Sequence, residues 1–314
     1  MQALEPPDAY SKFGQSQPMS VSWTYPPIKQ ASDAASVPAY CIPELYQFGY
    51  HEDSKAVPLS LHLHDRAYEF VYVERGSVTW EIADVSYSTN AGQWFLTYPG
   101  EAHTARFNHM EPSRIWWLII KDPEHNTSWL GLTGSERNLV VAFVKQLPRV
   151  FRSVNRAREQ LSRLQATLAT ANTSTAFFAR HQLLDVLLAM FQPMPTKTID
   201  PDLKAAVVFS VQKIMKNPDK RPTVGEMAEA VHLSESHYFK VFHEIYGQSP
   251  IAYLDRVRME RACDLLLMNM SITDVAFELG YKTSQHFTTV FKKQFGSSPS
   301  RWKSKFQPLK NESP

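Results

Sequence analysis

His237-Tyr238-Phe239-Lys240-Val241-Phe242-His243-Glu244-Ile245-Tyr246-Gly247-Gln248-Ser249-Pro250 lies over His286-Phe287-Thr288-Thr289-Val290-Phe291-Lys292-Lys293-Gln294-Phe295-Gly296-Ser297-Ser298-Pro299 at an offset of 49, with His, Val, Phe, Gly, Ser and Pro identical. Upstream, Val224-Gly225-Glu226-Met227-Ala228 lies over Ile272-Thr273-Asp274-Val275-Ala276 at an offset of 48. The one-residue difference falls in a turn between two helices. A duplicated unit of two short helices joined by a tight turn has helix-turn-helix grammar.

The punctuation agrees. Thr223 with Glu226, and Ser271 with Asp274, are set to cap the first helix of each unit. Ser234 and either Thr283 or Ser284 can cap the second. Gly247 and Gly296 end those helices, and Ser-Pro opens the next one. The long stretch from Ser249 to Met268, carrying Arg256, Arg258 and Arg261, spans roughly 30 Å as a helix. That is close to the roughly 34 Å of one DNA turn, so two second helices could enter successive major grooves. Helical geometry turns Ser236, Phe239, Lys240 and His243 outward in unit one. In unit two it turns out Ser284, Gln285, Thr288, Thr289 and Lys292.

Residues 202–306 resemble the AraC/XylS-type DNA-binding domain, most closely in Asp274-Val275-Ala276, Gly280-Tyr281, His286-Phe287, Phe291-Lys292-Lys293 and Phe295-Gly296-Ser297-Ser298-Pro299. The resemblance implies seven helices with two helix-turn-helix units. It places base contacts on Ser236, Phe239 and Lys240, and on Gln285, Thr288 and Thr289. Gln reads adenine bidentately, and Phe or a Thr methyl packs on a thymine methyl. Thr289 departs from the arginine often found there. Lys282, Lys292, Lys293 and Arg301 suit phosphates.

Working back toward the N-terminus, Gln192 to Thr198 reads as a linker. From 135 to 192 the period is helical: Leu161, Leu164 and Leu168 form one stripe, and Phe177, Leu184, Leu187, Leu188 and Phe191 another. Either stripe can pack on the neighbouring domain or form a dimer interface. From 40 to 134 short alternating segments predict a small sandwich or barrel, with turns at Arg75-Gly76-Ser77, Asn90-Ala91-Gly92 and Pro99-Gly100. Within it, His62 and His64 share one face of a strand. His62-x-His64, Glu69, Gly76, Gly92, Pro99-Gly100 and His103 resemble the two cupin motifs, with departures in the second. That resemblance implies a divalent ion (Fe, Mn, Ni or Zn) on His62, His64, Glu69 and His103, or the same side chains hydrogen-bonded to an effector. Sensor domains of this type imply a small molecule, a sugar by default. Its candidate contacts are those four residues with Trp80, Trp94, Tyr98 and Trp116; Arg106 and Trp117 are also available.

The expected organisation is α+β and multidomain. A Pro-rich flexible arm (1–39) precedes a cupin-like β-barrel (40–134) and a helical dimerisation segment (135–192). A linker (193–200), an all-α domain with two helix-turn-helix units (201–306) and a tail (307–314) follow. The chain has 314 residues, 43% of them hydrophobic, and a net charge of +2, so a packed core is expected rather than a basic coat. From residue 201 onward 16 Lys/Arg face 12 Asp/Glu, a mild basic excess compatible with DNA. No apolar run approaches a membrane span, and Cys41 and Cys263 cannot build a disulfide framework. The expectation is a cytoplasmic, homodimeric transcription activator that binds double-stranded DNA and an effector and recruits RNA polymerase. The alternative is a metal-dependent cupin enzyme or metal sensor joined to a DNA-binding domain.

Overall fold

The computed structural model describes residues 21–25, 42–126, 128–154, 156–170, 174–192, 199–217 and 220–306. Most of the expected arm, the tail, Cys41 and linker residues 193–198 lie outside them. The chain divides into two compact units, with the boundary after Pro195.

The N-terminal unit carries β1 (Val21–Tyr25), β2 (Leu45–Glu52), β3 (Val57–Pro58), β4 (Ala67–Ile82), β5 (Val85–Asn90), β6 (Gln93–Thr97), β7 (His103–Ala105), β8 (His109–Met110), β9 (Ser113–Lys121) and β10 (Val150–Phe151). Helices α1 (Gly134–Gln146), α2 (Ala157–Thr170) and α3 (Thr175–Phe191) belong to it as well. The main sheet runs β1-β2-β9-β4-β6-β10, and β5 and β7 also pair with β4.

Two expectations change here. The arm is not featureless, because Val21–Tyr25 pairs antiparallel with β2 and Tyr25 is buried; alternating Val21, Trp23 and Tyr25 supply the β pattern. Arg75-Gly76-Ser77 is not a turn between two strands. β4 runs through it for 16 residues, with a register shift against β9 between Val73 and Arg75. A bulge bends a strand without reversing it. The first half of β4 therefore pairs with β9 and β6, and the second half with β5 and β7. One strand thus serves two sheet segments and folds the β domain over on itself.

The main sheet has two unlike faces. Phe48, Tyr68, Phe70, Trp94, Leu96, Trp116, Leu118 and Ile120 form one core with Leu161, Leu164, Leu168, Leu183, Val186, Leu187 and Met190 of α2 and α3. The Leu161–Leu164–Leu168 stripe therefore packs on the sheet. The second stripe splits: Leu187 is buried, Leu184 and Phe191 are half-buried, and Phe177 and Leu188 are exposed. Phe143 of α1 stacks on Phe191 at 5.3 Å between ring centroids.

The C-terminal unit consists of α4 (Pro201–Met215), α5 (Val224–Glu229), α6 (Glu235–Tyr246), α7 (Pro250–Leu267), α8 (Ile272–Glu278), α9 (Ser284–Phe295) and α10 (Pro299–Phe306). Asp200, expected in the linker, instead caps α4, accepting from the backbone N–H groups of Asp202 and Leu203. Thr223 and Glu226 make the reciprocal capping box of α5. Ser234, Ser249, Ser271 and Thr283 cap α6, α7, α8 and α9. Gly247 and Gly296 close α6 and α9 at φ 67° and 70°, a conformation that costs a residue with a Cβ but not glycine.

Unit one packs Val207, Met227, Ala228, Tyr238, Val241, Phe242 and Leu254 together. Unit two buries Val275, Ala276, Phe287, Phe291, Phe295 and Trp302. The connecting helix α7 buries Arg256 and Arg258. Arg256 donates to Glu260 and Arg258 to the Lys220 carbonyl, so these two arginines serve the fold and not the surface.

Candidate functional site

Antiparallel register sets out the inner face of the main sheet as rungs. Glu69 pairs with Ile119 of β9 and Thr97 of β6. One step along, Val71 pairs with Trp117 and Phe95, and Trp117 with Gly49. One step further, Ile115 pairs with both Val73 and His51. Alternation sends these side chains away from the helices. A pocket opens on this face, lined by His51, Leu59, His62, Glu69, Val71, Trp80, Met110, Ile115 and Trp117. The Trp117 ring crosses directly over Gly49, where an added Cβ would lie 2.1 Å from it. Only a glycine at 49 leaves room for this indole.

The four cupin-motif residues come together at one end. The candidate ligand atoms of His62, His64, Glu69 and His103 all lie within 4.8 Å of one another. The expected strand over 61–64 is reduced to a single bridge, His62 to His103, held by two backbone hydrogen bonds of 3.0 and 2.8 Å. It still points both imidazoles inward and leaves Leu61 and Leu63 exposed. His103 Nε2 is 2.6 Å and His64 Nε2 3.5 Å from the same Glu69 oxygen.

Burial raises the Glu69 carboxyl, but the His103 charge and hydrogen bond, helped by His64, outweigh it and hold the group well below the usual range. Burial pulls His103 down, and its Glu69 partner more than reverses this. Burial lowers His62.

Backbone carbonyls fix two of the rings. His62 Nδ1 donates to Ser60 O at 2.8 Å and His103 Nδ1 to Glu101 O at 2.9 Å, because a carbonyl can only accept. Nε2 is thereby kept for the cluster, the arrangement that outer partners impose on metal-binding imidazoles. Three imidazoles and a carboxylate form a donor set that fits a first-row divalent ion.

The expected aromatic contacts separate. Trp80 lines the pocket with the His/Glu cluster. Trp94 and Trp116 lie in the helix-facing core, with Tyr98 packed against it. Trp94 donates its indole N–H to Ser153 and Trp116 to Glu74. The reason is period two: Trp116 and Trp117 are neighbours and face opposite ways. Trp116 shares a row with Tyr50, Tyr72 and Trp94 on the face that α2 and α3 cover. Arg106 stands 3.8 Å from Glu81, outside the pocket lining.

His51, whose Nε2 is bound to Asp53, is a pocket residue that the sequence reading missed. The alternation Gln47, Gly49, His51 was the available signal; the small Gly49 obscures it, and a register shift between Leu45 and Gln47 cuts it short.

In the C-terminal unit, Ser236, Phe239, Lys240 and His243 are all exposed along α6, and Gln285, Thr289 and Lys292 along α9; Ser284 and Thr288 are half-buried. Phe239 is 43% exposed, an unusual place for a benzyl group on a helix with a full apolar face behind it. Thr289 turns its hydroxyl back to the Gln285 carbonyl at 3.0 Å. Lys282, Lys293 and Arg301 are exposed nearby.

A model of the helix-turn-helix domain matches residues 227–305, and one of the AraC-like ligand binding domain matches residues 44–185. The Msm operon regulatory protein of Streptococcus mutans is 26% identical over 57% of this chain and 67% of its own length. The lactose operon transcription activator of Staphylococcus xylosus is 25% identical over 74% of this chain and 82% of its own. Among solved structures, ToxT from Vibrio cholerae aligns with a TM-score of 0.30 at 11% identity, over 81% of this chain and 96% of that one. With its duplicated reader and its β domain matched by these two family models, the chain belongs to the AraC family of transcription regulators: it binds double-stranded DNA and it carries a ligand-binding domain.

Proposed function

We propose that this regulator is a cytoplasmic, homodimeric activator whose N-terminal pocket takes a carbohydrate effector, and that the bound form recruits RNA polymerase. The pocket lining carries the reading: two indoles, Trp80 and Trp117, stand with His51, His62 and Glu69. A sugar offers C–H faces that stack on indoles and hydroxyls that bond imidazole and carboxylate. Two relatives are named for operon control, one of them for lactose. The exposed Phe177 and Leu188, with Leu139 and Phe143 of α1, supply an apolar face suited to a second copy. No described helix is long and apolar enough to cross a membrane.

The carbonyl-fixed imidazoles favour a second reading of the same end of the pocket. His62, His64, Glu69 and His103 would hold Fe, Mn, Ni or Zn, which would supply a Lewis acid to an effector oxygen. Binding it would displace the proton shared by His103 and Glu69.

A thermal-shift screen of the purified protein against mono- and disaccharides, with and without a chelator, tests both. A ligand at 100 times its Kd adds about 2.7 kcal/mol. A shift that survives chelation supports the metal-free sugar site. Loss of stability on chelation with no sugar shift supports the metal and removes the carbohydrate reading.

A further inference from the structure

Arg258 of α7 starts a chain of contacts that ends on the second reading helix. It donates to the Lys220 carbonyl at 2.6 Å and to Asp255 at 3.2 Å, and so pins the segment just ahead of α5 in unit one. The next residue, Arg221, lays its guanidinium over the Tyr281 ring, 4.3 Å from the centroid. Tyr281 closes the turn of unit two, its backbone N–H donating to the Ala276 carbonyl at 2.8 Å. The ring is buried and meets His286 and Phe287 edge-on, each at 5.4 Å between centroids. Those two residues belong to the first turn of α9, which also carries Gln285. Arg221 holds its place against a like charge: burial lowers Arg258 below the ordinary arginine range, and the Arg221 charge pushes it the same way. The negative face of the Tyr281 ring offsets that cost.

The repeat shows that a helix-turn-helix of this kind does not need the stack for its own turn. At the offset of 48, Tyr281 falls on Leu233 and Arg221 on Asn269. Leu233 makes the same turn-closing bond, to the Ala228 carbonyl at 2.9 Å, with an aliphatic side chain. The arginine and the ring are thus a feature between the units. From this we infer that Arg221 is a positioning residue for DNA recognition: stacked on Tyr281, it braces α9 against unit one and so fixes the base-pair spacing that the two reading helices accept. α7 leads into unit two through Asn269, at a left-handed φ of 66°, and α8 and α10 pack along it. Rotation about α7 is the softest motion such packing leaves, and Arg221, lying off that helix, opposes it. The inference concerns the reader domain and does not depend on what the N-terminal pocket takes.

The test uses the full-length protein and a duplex that it selects from a random pool, with affinity read by fluorescence anisotropy. Footprinting locates the two major-groove segments that one reader domain protects, and one base pair is inserted or removed between them. Each such step turns one segment against the other by about 35°. Wild type should lose about tenfold or more on either altered duplex, the cost of at least one lost base contact. Arg221 is exposed, so Arg221→Ala should leave the unfolding midpoint nearly unchanged. It should weaken the selected duplex about threefold, as a cation–π contact of this kind is worth, and the altered duplexes not at all, so that the spacing penalty shrinks by the same factor. Arg221→Gln, and Tyr281→Leu, which copies the residue of unit one, should shrink it likewise. The salt dependence should stay as it is. An arginine that only shields Tyr281 would lower affinity for all three duplexes alike and keep the penalty intact, and a phosphate contact would reduce the salt slope by about 0.9. Either result overturns the inference, as does a wild type that binds all three spacings equally or a selected site read by one unit alone.

Discussion

His103 Nε2 stands 2.6 Å from Glu69 Oε2, and the two side chains are 1% and 7% exposed. A carboxylate this deep in an otherwise apolar sheet interior is tolerable only with a donor beside it. The pair therefore couples the stability of the β domain to the chemistry of its pocket.

Replacing Glu69 by alanine leaves His103 Nε2 without its acceptor and should cost about 1–3 kcal/mol. Glu69→Gln keeps an acceptor oxygen and should lose less. Urea unfolding followed by tryptophan fluorescence would report the midpoints. Equal losses for the two variants would show that the hydrogen bond contributes little.

In the reader domain the caps give a cleaner case. Thr283 Oγ1 accepts from the His286 backbone at 3.1 Å at the exposed start of α9. Thr283→Ala should destabilise by about 1 kcal/mol, while Thr283→Ser should be close to neutral. The same alanine variant should weaken DNA binding, because fraying the first turn of α9 releases Gln285. Unchanged unfolding and operator affinity would speak against this cap.

How much of this could be read from residues depends on how local the signal is. The caps, the glycine stops and the exposed faces of α6 and α9 were legible because each is fixed within one or two turns of chain. The His/Glu cluster was legible for a similar reason: two-residue periodicity sets His62 and His64 together, and the motif spacing supplies the rest. The aromatic lining was not. Nothing local tells Trp116 from Trp117; which of them faces the pocket depends on where α2 and α3 pack, a long-range fact. Gly76 misled for the opposite reason. A positive φ suits a turn and a bulge equally, and only the partners on either side of β4 distinguish them. His51 was hidden because Gly49 interrupts the alternation that would have marked β2 as a strand.

Phe177 and Leu188 are 59% and 55% exposed on α3, so neither supports the monomer's core. On the proposed homodimer, Phe177→Asp combined with Leu188→Asp should shift the protein toward monomer in sedimentation equilibrium while leaving its unfolding midpoint at low concentration unchanged. A dimer that persists would move the interface elsewhere.

Glu52 offers a dependence on pH away from the pocket. Its hydrogen bond to Arg114 holds the carboxyl below the ordinary range, against the upward push of burial and with help from the Tyr50 hydroxyl. A carboxyl lowered in the folded state adds stability above its unfolded value, about 4.3, and loses it as pH falls through the folded value. The stability difference between wild type and Glu52→Gln should be constant near neutrality and should vanish in acid. A difference that grew in acid would reverse the sign and rule out the Arg114 bond as its cause.

Two positions on the exposed face of α9 should behave differently in DNA binding. Gln285 is exposed and can read adenine with its amide oxygen accepting from N6 and its NH2 donating to N7. Gln285→Ala should therefore cost about 1–3 kcal/mol at the operator and relax discrimination at one base pair. Non-specific affinity should not change. Lys292 is exposed one turn beyond Thr288 and is suited to a phosphate. Lys292→Ala should weaken all sequences alike and reduce the slope of log affinity against log salt by about 0.9. Fluorescence anisotropy on operator and scrambled duplexes over a salt series measures both quantities at once. If Gln285→Ala lowered both duplexes equally, the glutamine would be a backbone contact and base reading in unit two would pass to Thr288, whose methyl can pack on thymine. Because Thr289 directs its hydroxyl to the Gln285 carbonyl, Thr289→Ala should change specificity less than Gln285→Ala does. That ordering follows from helix geometry alone and can be read in the same titrations.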